Sequence, residues 1–173
     1  MDPRELLGMI AFFSETLNGD EIFMLASTAR RLTFPAGGVI LKEDDPATSL
    51  FVIESGTVKV TVEGEAEPLT ELHAGDFFGE MSLLTGQPRN ATVTAVEPTA
   101  IYEIDRKALA PVLAEAPALA ERFAETMMRR QEELDHLYGN PAWGMERVGK
   151  AELLADIRRF YSDNAGGDFA AGG

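Results

Sequence analysis

The chain contains no cysteine, which removes disulfides, thiolate zinc sites and thiol nucleophiles together. That composition suits a reducing compartment, and the cytoplasm is the expected location. Histidine is almost as scarce: His73 and His136 are the only two, too few and too far apart in sequence for a histidine metal cluster. A cupin-like metalloenzyme would need several histidines on its barrel, where only His73 is available. No serine is convincingly paired with a histidine and an acid. No catalytic residue, metal ligand or cofactor is therefore expected, and the chain reads as a non-enzyme. Long apolar runs are missing too. The stretch from Leu6 to Phe13 is far below the roughly 18 residues of a spanning helix, and Asp2 and Glu5 spoil a basic signal-peptide start. Positive charge is in deficit, with 15 Lys and Arg against 29 Asp and Glu and a net charge of -14. Such a chain repels phosphate backbones at long range, and with no basic patch to compensate, nucleic acid is excluded as a partner.

What remains is an ordinary folding composition: 173 residues, 45% hydrophobic and 25% charged, enough for one domain with a core and an appendage. Residues 3 to 30 carry helical spacing, with Leu6, Leu7, Ile10 and Phe13, then Leu17, Ile22, Leu25 and Ala29 after a break near Asn18-Gly19. Two short helices are expected there. From 31 to 105 the texture changes to short β-rich runs at 31–34, 39–41, 49–53, 58–62, 69–72, 76–78, 91–96 and 99–104. Gly, Pro and Asp punctuate them, and eight short strands at this spacing predict an eight-stranded β-barrel or jelly roll. Asp105 is placed to cap a helix running to about Ala114, and Pro117 suits the first turn of a longer helix closed by Gly139. An amphipathic segment follows, with Leu153, Leu154, Ile157, Phe160 and Tyr161 on one face; residues 164–173 read as a flexible end. The expected organisation is α+β. One domain spans 1–139: helices 3–30, barrel 31–105, and hinge and lid helices 105–138. A loop, short amphipathic helix and tail fill 140–173.

The densest chemical signal is Gly75-Asp76-Phe77-Phe78-Gly79-Glu80-Met81-Ser82-Leu83-Leu84, followed by Gln87-Pro88-Arg89-Asn90-Ala91-Thr92. Gly79 lets a ligand approach the backbone, and the turn from Glu80 to Leu84 presents amides to an anion. Arg89 supplies a planar fork suited to phosphate. Within 31–105 the only other cations are Arg31, Lys42 and Lys59. Ala91 is small enough for phosphate oxygens to reach its amide. Glu80 fits such a site if the ligand also carries a sugar hydroxyl, which a carboxylate accepts while Arg89 neutralises the phosphate. Taken alone, Glu80 and Arg89 could equally be a structural ion pair beside a glycine turn.

Phe78-Gly79-Glu80, a short apolar turn, then Pro88-Arg89-x-Ala91-Thr92 resembles the phosphate-binding cassette of the cyclic-nucleotide-binding domain family. The similarity runs from about Leu6 to Tyr138 and includes Leu50-Phe51-Val52-Ile53 with Gly56 and Val58. By that resemblance Phe78, Gly79, Glu80, Met81, Arg89, Asn90 and Ala91 form the ligand site. Gly79 and Glu80 would engage the ribose 2'-hydroxyl, and Arg89 with the Ala91 amide the cyclic phosphate. Asn90 departs from the small hydroxyl or alanine common in the family, which bears on base and phosphate selectivity. Val60, Val62, Leu69, Leu72 and Leu83 would wall the purine or simply fill the barrel. Apolar walls offer no acidic partner for guanine's amino group, so the implied ligand is cyclic AMP (cAMP), with cyclic GMP (cGMP) as the competitor.

Counting onward from Arg89, Arg130 falls where channel members of the family place a base-contacting arginine. The same position allows a solvated residue that, like Arg129, pairs with Glu125, Glu132 or Glu133. The long helix carries Leu119, Phe123 and Met127 at spacings of four, a stripe able to pack on the barrel as a lid. A basic helix-turn-helix after that helix is missing, which argues against a transcription factor, and the single cassette argues against a kinase regulatory subunit. Residues 153–161 resemble the tails of bacterial channel sensors. The expectation is thus a cAMP-sensing regulatory domain of a fused or associated effector such as a membrane channel. A free-standing binding protein and an interaction module without ligand are the alternatives. The C-terminal amphipathic segment offers a homo-oligomer contact.

Overall fold

The computed structural model describes residues 2–89, 91–138 and 149–170, with side chains left out at 130–138 and 162–170. The N-terminal region forms three helices, α1 (Pro3–Gly8), α2 (Ala11–Ser14) and α3 (Gly19–Ser27), one more than the spacing suggested. The starts of α1 and α3 have local causes, whereas α2 begins after Ile10 without a side-chain cap. Asp2 caps α1 by accepting from Arg4 N at 2.8 Å, and Pro3 occupies the first turn, where its missing N–H costs nothing. Asn18 and Glu21 form a reciprocal capping box at the start of α3, with contacts of 2.9 and 2.8 Å.

Eight strands follow among the described residues: β1 (Arg30–Phe34), β2 (Val39–Leu41), β3 (Ser49–Ser55), β4 (Thr57–Thr61), β5 (Thr70–His73), β6 (Phe77–Phe78), β7 (Thr92–Ala95) and β8 (Thr99–Asp105), with α4 (Glu80–Thr85) between β6 and β7. They pair antiparallel in two sets, β1-β8-β3-β6 and β2-β7-β4-β5. The barrel expected from the strand count is therefore a sandwich of two facing sheets. Among the described residues no pairing joins the two sets; the edge strands β6 and β2 have two and three residues, and β2 carries a register shift between Val39 and Leu41.

The two cores explain the continuous apolar run of β3. Side chains alternate along a strand, so Phe51 and Ile53 point between the sheets, where they meet Phe78, Ile101, Val58, Val60, Leu72 and Val93. Leu50 and Val52 point outward, where Phe77, Tyr102 and Ile104 join them under the helices. A strand buried on both faces has no use for polar alternation.

α5 (Arg106–Glu115) is capped by Asp105, whose side chain accepts from Ala108 N at 3.0 Å. It ends at Ala116, whose φ of -137° and ψ of 76° break the helix. α6 (Leu119–Tyr138) begins just after Pro117 and α7 (Lys150–Ala170) ends the described chain; the expected C-cap Gly139 lies outside the described residues. Leu119, Phe123 and Met127 are buried in the helix-side core, with the Phe123 ring 5.4 Å from Phe12. α7 buries Leu153 and Ile157 in the same core and continues as helix past Asn164, where composition suggested a flexible end. No helix among the described residues is long and apolar enough to cross a membrane.

Candidate functional site

The cassette is built where β6 enters α4 and where the following loop returns along β3. At Gly79 the chain turns with φ +86° and ψ 14°, a left-handed conformation that only glycine adopts without strain. Space enforces the same choice, because a Cβ there would stand 2.6 Å from Arg89 Nη1 and 3.1 Å from the Ser49 carbonyl oxygen. Gly79 and Arg89, ten positions apart in sequence, are thus in contact. A second left-handed glycine, Gly86, ends α4. The Ser82 hydroxyl donates to the Gln87 carbonyl at 2.8 Å and ties the loop back to the helix.

Arg89 is 6% exposed. Its main chain is clasped on both sides by the β2–β3 loop: Arg89 N donates to Asp45 O at 2.9 Å, and Asp44 N donates to Arg89 O at 2.8 Å. The side chain reaches β3, where Nη1 donates to the Ser49 carbonyl at 2.6 Å and Nη2 to the Ser49 hydroxyl at 3.1 Å. The guanidinium lies over the Phe51 ring at 5.3 Å, and Phe51 in turn stacks on Phe78 at 5.4 Å. Burial pulls the Arg89 pKa down to about 10, while the negative charges of Glu103, Glu80 and Asp45 oppose the shift. The group remains a cation at neutral pH, held in a partly desolvated setting where a charge-assisted hydrogen bond is strong.

Glu80 is buried at the start of α4, near enough for its charge to raise the Arg89 pKa. Phe78, Gly79, Glu80, Arg89 and Ala91 therefore come together, and Ala91 is buried between the sheets. Met81 and Leu83 point away from the space between the sheets. Both side chains enter the helix-side core, so Leu83 is not a purine wall. Val60 and Leu72 are buried between the sheets, with Val62 and Leu69 partly buried beside them. Asn90 lies outside the described residues, and Arg130 belongs to α6 with its side chain outside them. Arg129 is solvated as expected, but its partner is Glu15 at 3.2 Å, both side chains being more than half exposed, where Glu125, Glu132 or Glu133 was expected.

Two participants were not legible as site residues. Ser49 holds both Nη atoms of Arg89, and its hydroxyl donates to Glu103 Oε2 at 3.0 Å. Nothing in a serine before an apolar strand announces this role; only the fold brings residues 40 and 54 positions apart into one network.

The far side of α4 is also engaged. Tyr161 of α7 donates its hydroxyl proton to the Leu83 carbonyl at 2.6 Å, and burial pushes its phenol well above the usual range. The Phe160 ring packs where Gly86 lacks a side chain, and Arg106 lies over the Phe160 and Tyr161 rings at 5.3 and 5.9 Å.

Comparison with known proteins places the chain in a family. Residues 31–116 match the family described as cyclic nucleotide-binding domain. The chain is 33% identical over 108 residues to a cAMP-dependent protein kinase regulatory subunit from Emericella nidulans, covering 62% of this chain and 24% of that one. It is 32% identical over 130 residues to a cyclic nucleotide-gated potassium channel from Rhizobium etli, covering 73% of this chain and 35% of the channel. The chain thus spans about a quarter to a third of these curated relatives. Among solved structures, a cyclic nucleotide-binding domain from Methylobacillus flagellatus superposes with a TM-score of 0.65 at 26% identity over 85% of both chains.

Proposed function

Residues 31–116 belong to the cyclic nucleotide-binding domain family, and from that premise we propose that this chain is a regulatory sensor domain whose ligand is cAMP. The observation that carries the reading is the buried Arg89 fork against Gly79, with the buried Glu80 carboxylate beside it. A cyclic nucleotide offers the two groups this pair answers: an anionic phosphate for the guanidinium and a ribose hydroxyl for the carboxylate. The Ala91 amide is the second phosphate contact, and the space between the sheets near Val60, Val62, Leu69 and Leu72 receives the base. Those apolar residues give guanine's amino group no acceptor, which favours cAMP over cGMP, although the Asn90 side chain could supply one acceptor.

Calorimetry with cAMP, cGMP and the linear 5'-monophosphate tests the assignment. Wild type is expected to bind cAMP more tightly than cGMP. A hydrogen bond to a charged group is worth about 1.5 to 3 kcal/mol, so Arg89→Ala is expected to weaken cAMP binding roughly 10- to 150-fold with the fold retained. Glu80→Ala costs less. Equal dissociation constants for wild type and Arg89→Ala would remove the phosphate assignment. No heat from any nucleotide would leave an interaction module as the reading.

The effector we infer is a fused or associated membrane channel, supported by the gated-channel relatives and by the helical appendage after residue 149 that reaches the cassette helix. The full-length gene tests this. Membrane-spanning segments encoded upstream support a channel, and a native start at Met1 overturns the reading of a channel fused upstream.

A further inference from the structure

Alternation along three neighbouring strands places Arg30, Ser49, Phe51 and Glu103 on one face of the first sheet. Glu103 of β8 stands opposite Phe51 of β3 on one side and opposite Arg30 of β1 on the other, and Ser49 precedes Phe51 by two residues, hence on the same face. The side chains complete a line. Arg30 Nη2 meets Glu103 Oε1 at 2.6 Å, Glu103 Oε2 accepts from the Ser49 hydroxyl at 3.0 Å, and that hydroxyl oxygen accepts from Arg89 Nη2 at 3.1 Å. We propose that Ser49 and Glu103 are positioning residues for the ligand phosphate, fixing the plane of the Arg89 guanidinium through a serine hydroxyl polarised by a carboxylate. The inference rests on the reading of Arg89 as the phosphate ligand.

The chemistry gives each group a task. A hydroxyl has one proton and two lone pairs; with its proton committed to Glu103, Ser49 Oγ can only accept from Arg89. Donation to a carboxylate strengthens that acceptor, because hydrogen bonds in a chain polarise one another where the dielectric is low. Nη1 is meanwhile held by the Ser49 carbonyl, so one residue grips both terminal nitrogens and fixes rotation of the fork, while Phe51 supports its face. The position of these contacts leaves Arg89 with a defined orientation rather than merely a charge, and orientation is what distinguishes one phosphate oxygen from its neighbour. Arg30, at 72% exposure, steadies the carboxylate from the solvent side.

The test uses Ser49→Ala and Glu103→Gln, with cAMP and its two phosphorothioate diastereomers, in which sulfur replaces one or the other exocyclic phosphate oxygen. Each variant is expected to bind cAMP about three- to tenfold more weakly than wild type. The double variant should lose no more than the weaker single variant, since the residues act in one chain. The decisive readout is the affinity ratio between the diastereomers, which falls in both variants if the fork has lost its fixed plane. A purely structural role would weaken both diastereomers alike, so a reduced affinity with an unchanged ratio overturns the proposal. Unchanged cAMP affinity in both variants, with Arg89→Ala still impaired, overturns it while leaving the cyclic nucleotide reading standing. Absence of cAMP binding in wild type removes that reading and this inference with it. Thermal melts of the nucleotide-free variants verify that they remain folded.

Discussion

A methyl group at position 79 would meet Arg89 Nη1 at 2.6 Å on a backbone whose φ is +86°. Gly79→Ala therefore pays twice: the left-handed conformation costs an L-residue roughly 1 kcal/mol, and the guanidinium must move off the Ser49 carbonyl. The expected result is a lowered melting temperature together with a cAMP affinity reduced by about tenfold or more, the loss of one charge-assisted contact. Differential scanning calorimetry and titration check the two halves, and an unaltered affinity would show that the Arg89 position seen here is not the binding one. At this scale the sequence was informative where chemistry was local. Phe78, Gly79, Glu80, Arg89 and Ala91 lie in one short stretch with a recognisable order, and the structure brings them together. Ser49 and Glu103 were illegible because their meaning comes from cross-strand register, and the unbroken apolar run after Ser49 hides which side of β3 faces the sandwich.

The strands were legible because turn residues bound each one, and the α5 start because Asp105 is a strong cap. The closure of the sheets was not, since strand count does not specify whether edges pair. Nor was the docking of α7 on α4, which depends on one aromatic pair meeting one glycine. That contact defines a prediction for the element. Tyr161→Phe leaves the ring but deletes the 2.6 Å hydrogen bond to the buried Leu83 carbonyl, which costs about 1 kcal/mol and lowers the melting temperature by roughly 2–4 °C for a domain of this size. Gly86→Ala should cost more, because its Cβ would stand 2.5 Å from the Phe160 ring at a φ of +73°. Hydrogen exchange along α7 locates the effect: faster exchange in α7 than in the sandwich confirms the attachment, and uniform acceleration would mean that α7 is not held through these residues.

At the scale of the whole molecule the question is how occupancy of the cassette reaches the rest of the chain. A lid mechanism in which all of α6 swings over the ligand meets an energetic obstacle. Leu119, Phe123 and Met127 are each at most 3% exposed, and re-exposing side chains of this size costs about 1.5 to 3 kcal/mol apiece. A ligand shifts an equilibrium only by its differential affinity for the two states. One capping contact from Arg130, a hydrogen bond worth about 1.5 to 3 kcal/mol, cannot offset three such exposures. Motion of α6 must therefore keep its first turns in the core and be confined to the part beyond Met127, where Arg130 lies. Spin labels at Glu121 and at Glu133, each paired with one on the outer strand β5, distinguish the cases when distances are measured with and without cAMP. The Glu133 distance is expected to change and the Glu121 distance to stay fixed. Arg130→Ala should reduce the change at Glu133 and weaken binding modestly, whereas Arg129→Ala, which removes an exposed pair with Glu15, should do neither. Equal displacement at both labels would mean that α6 moves as a rigid unit and that the core rearranges with it; no displacement at either would place the signal in the contact between α4 and α7.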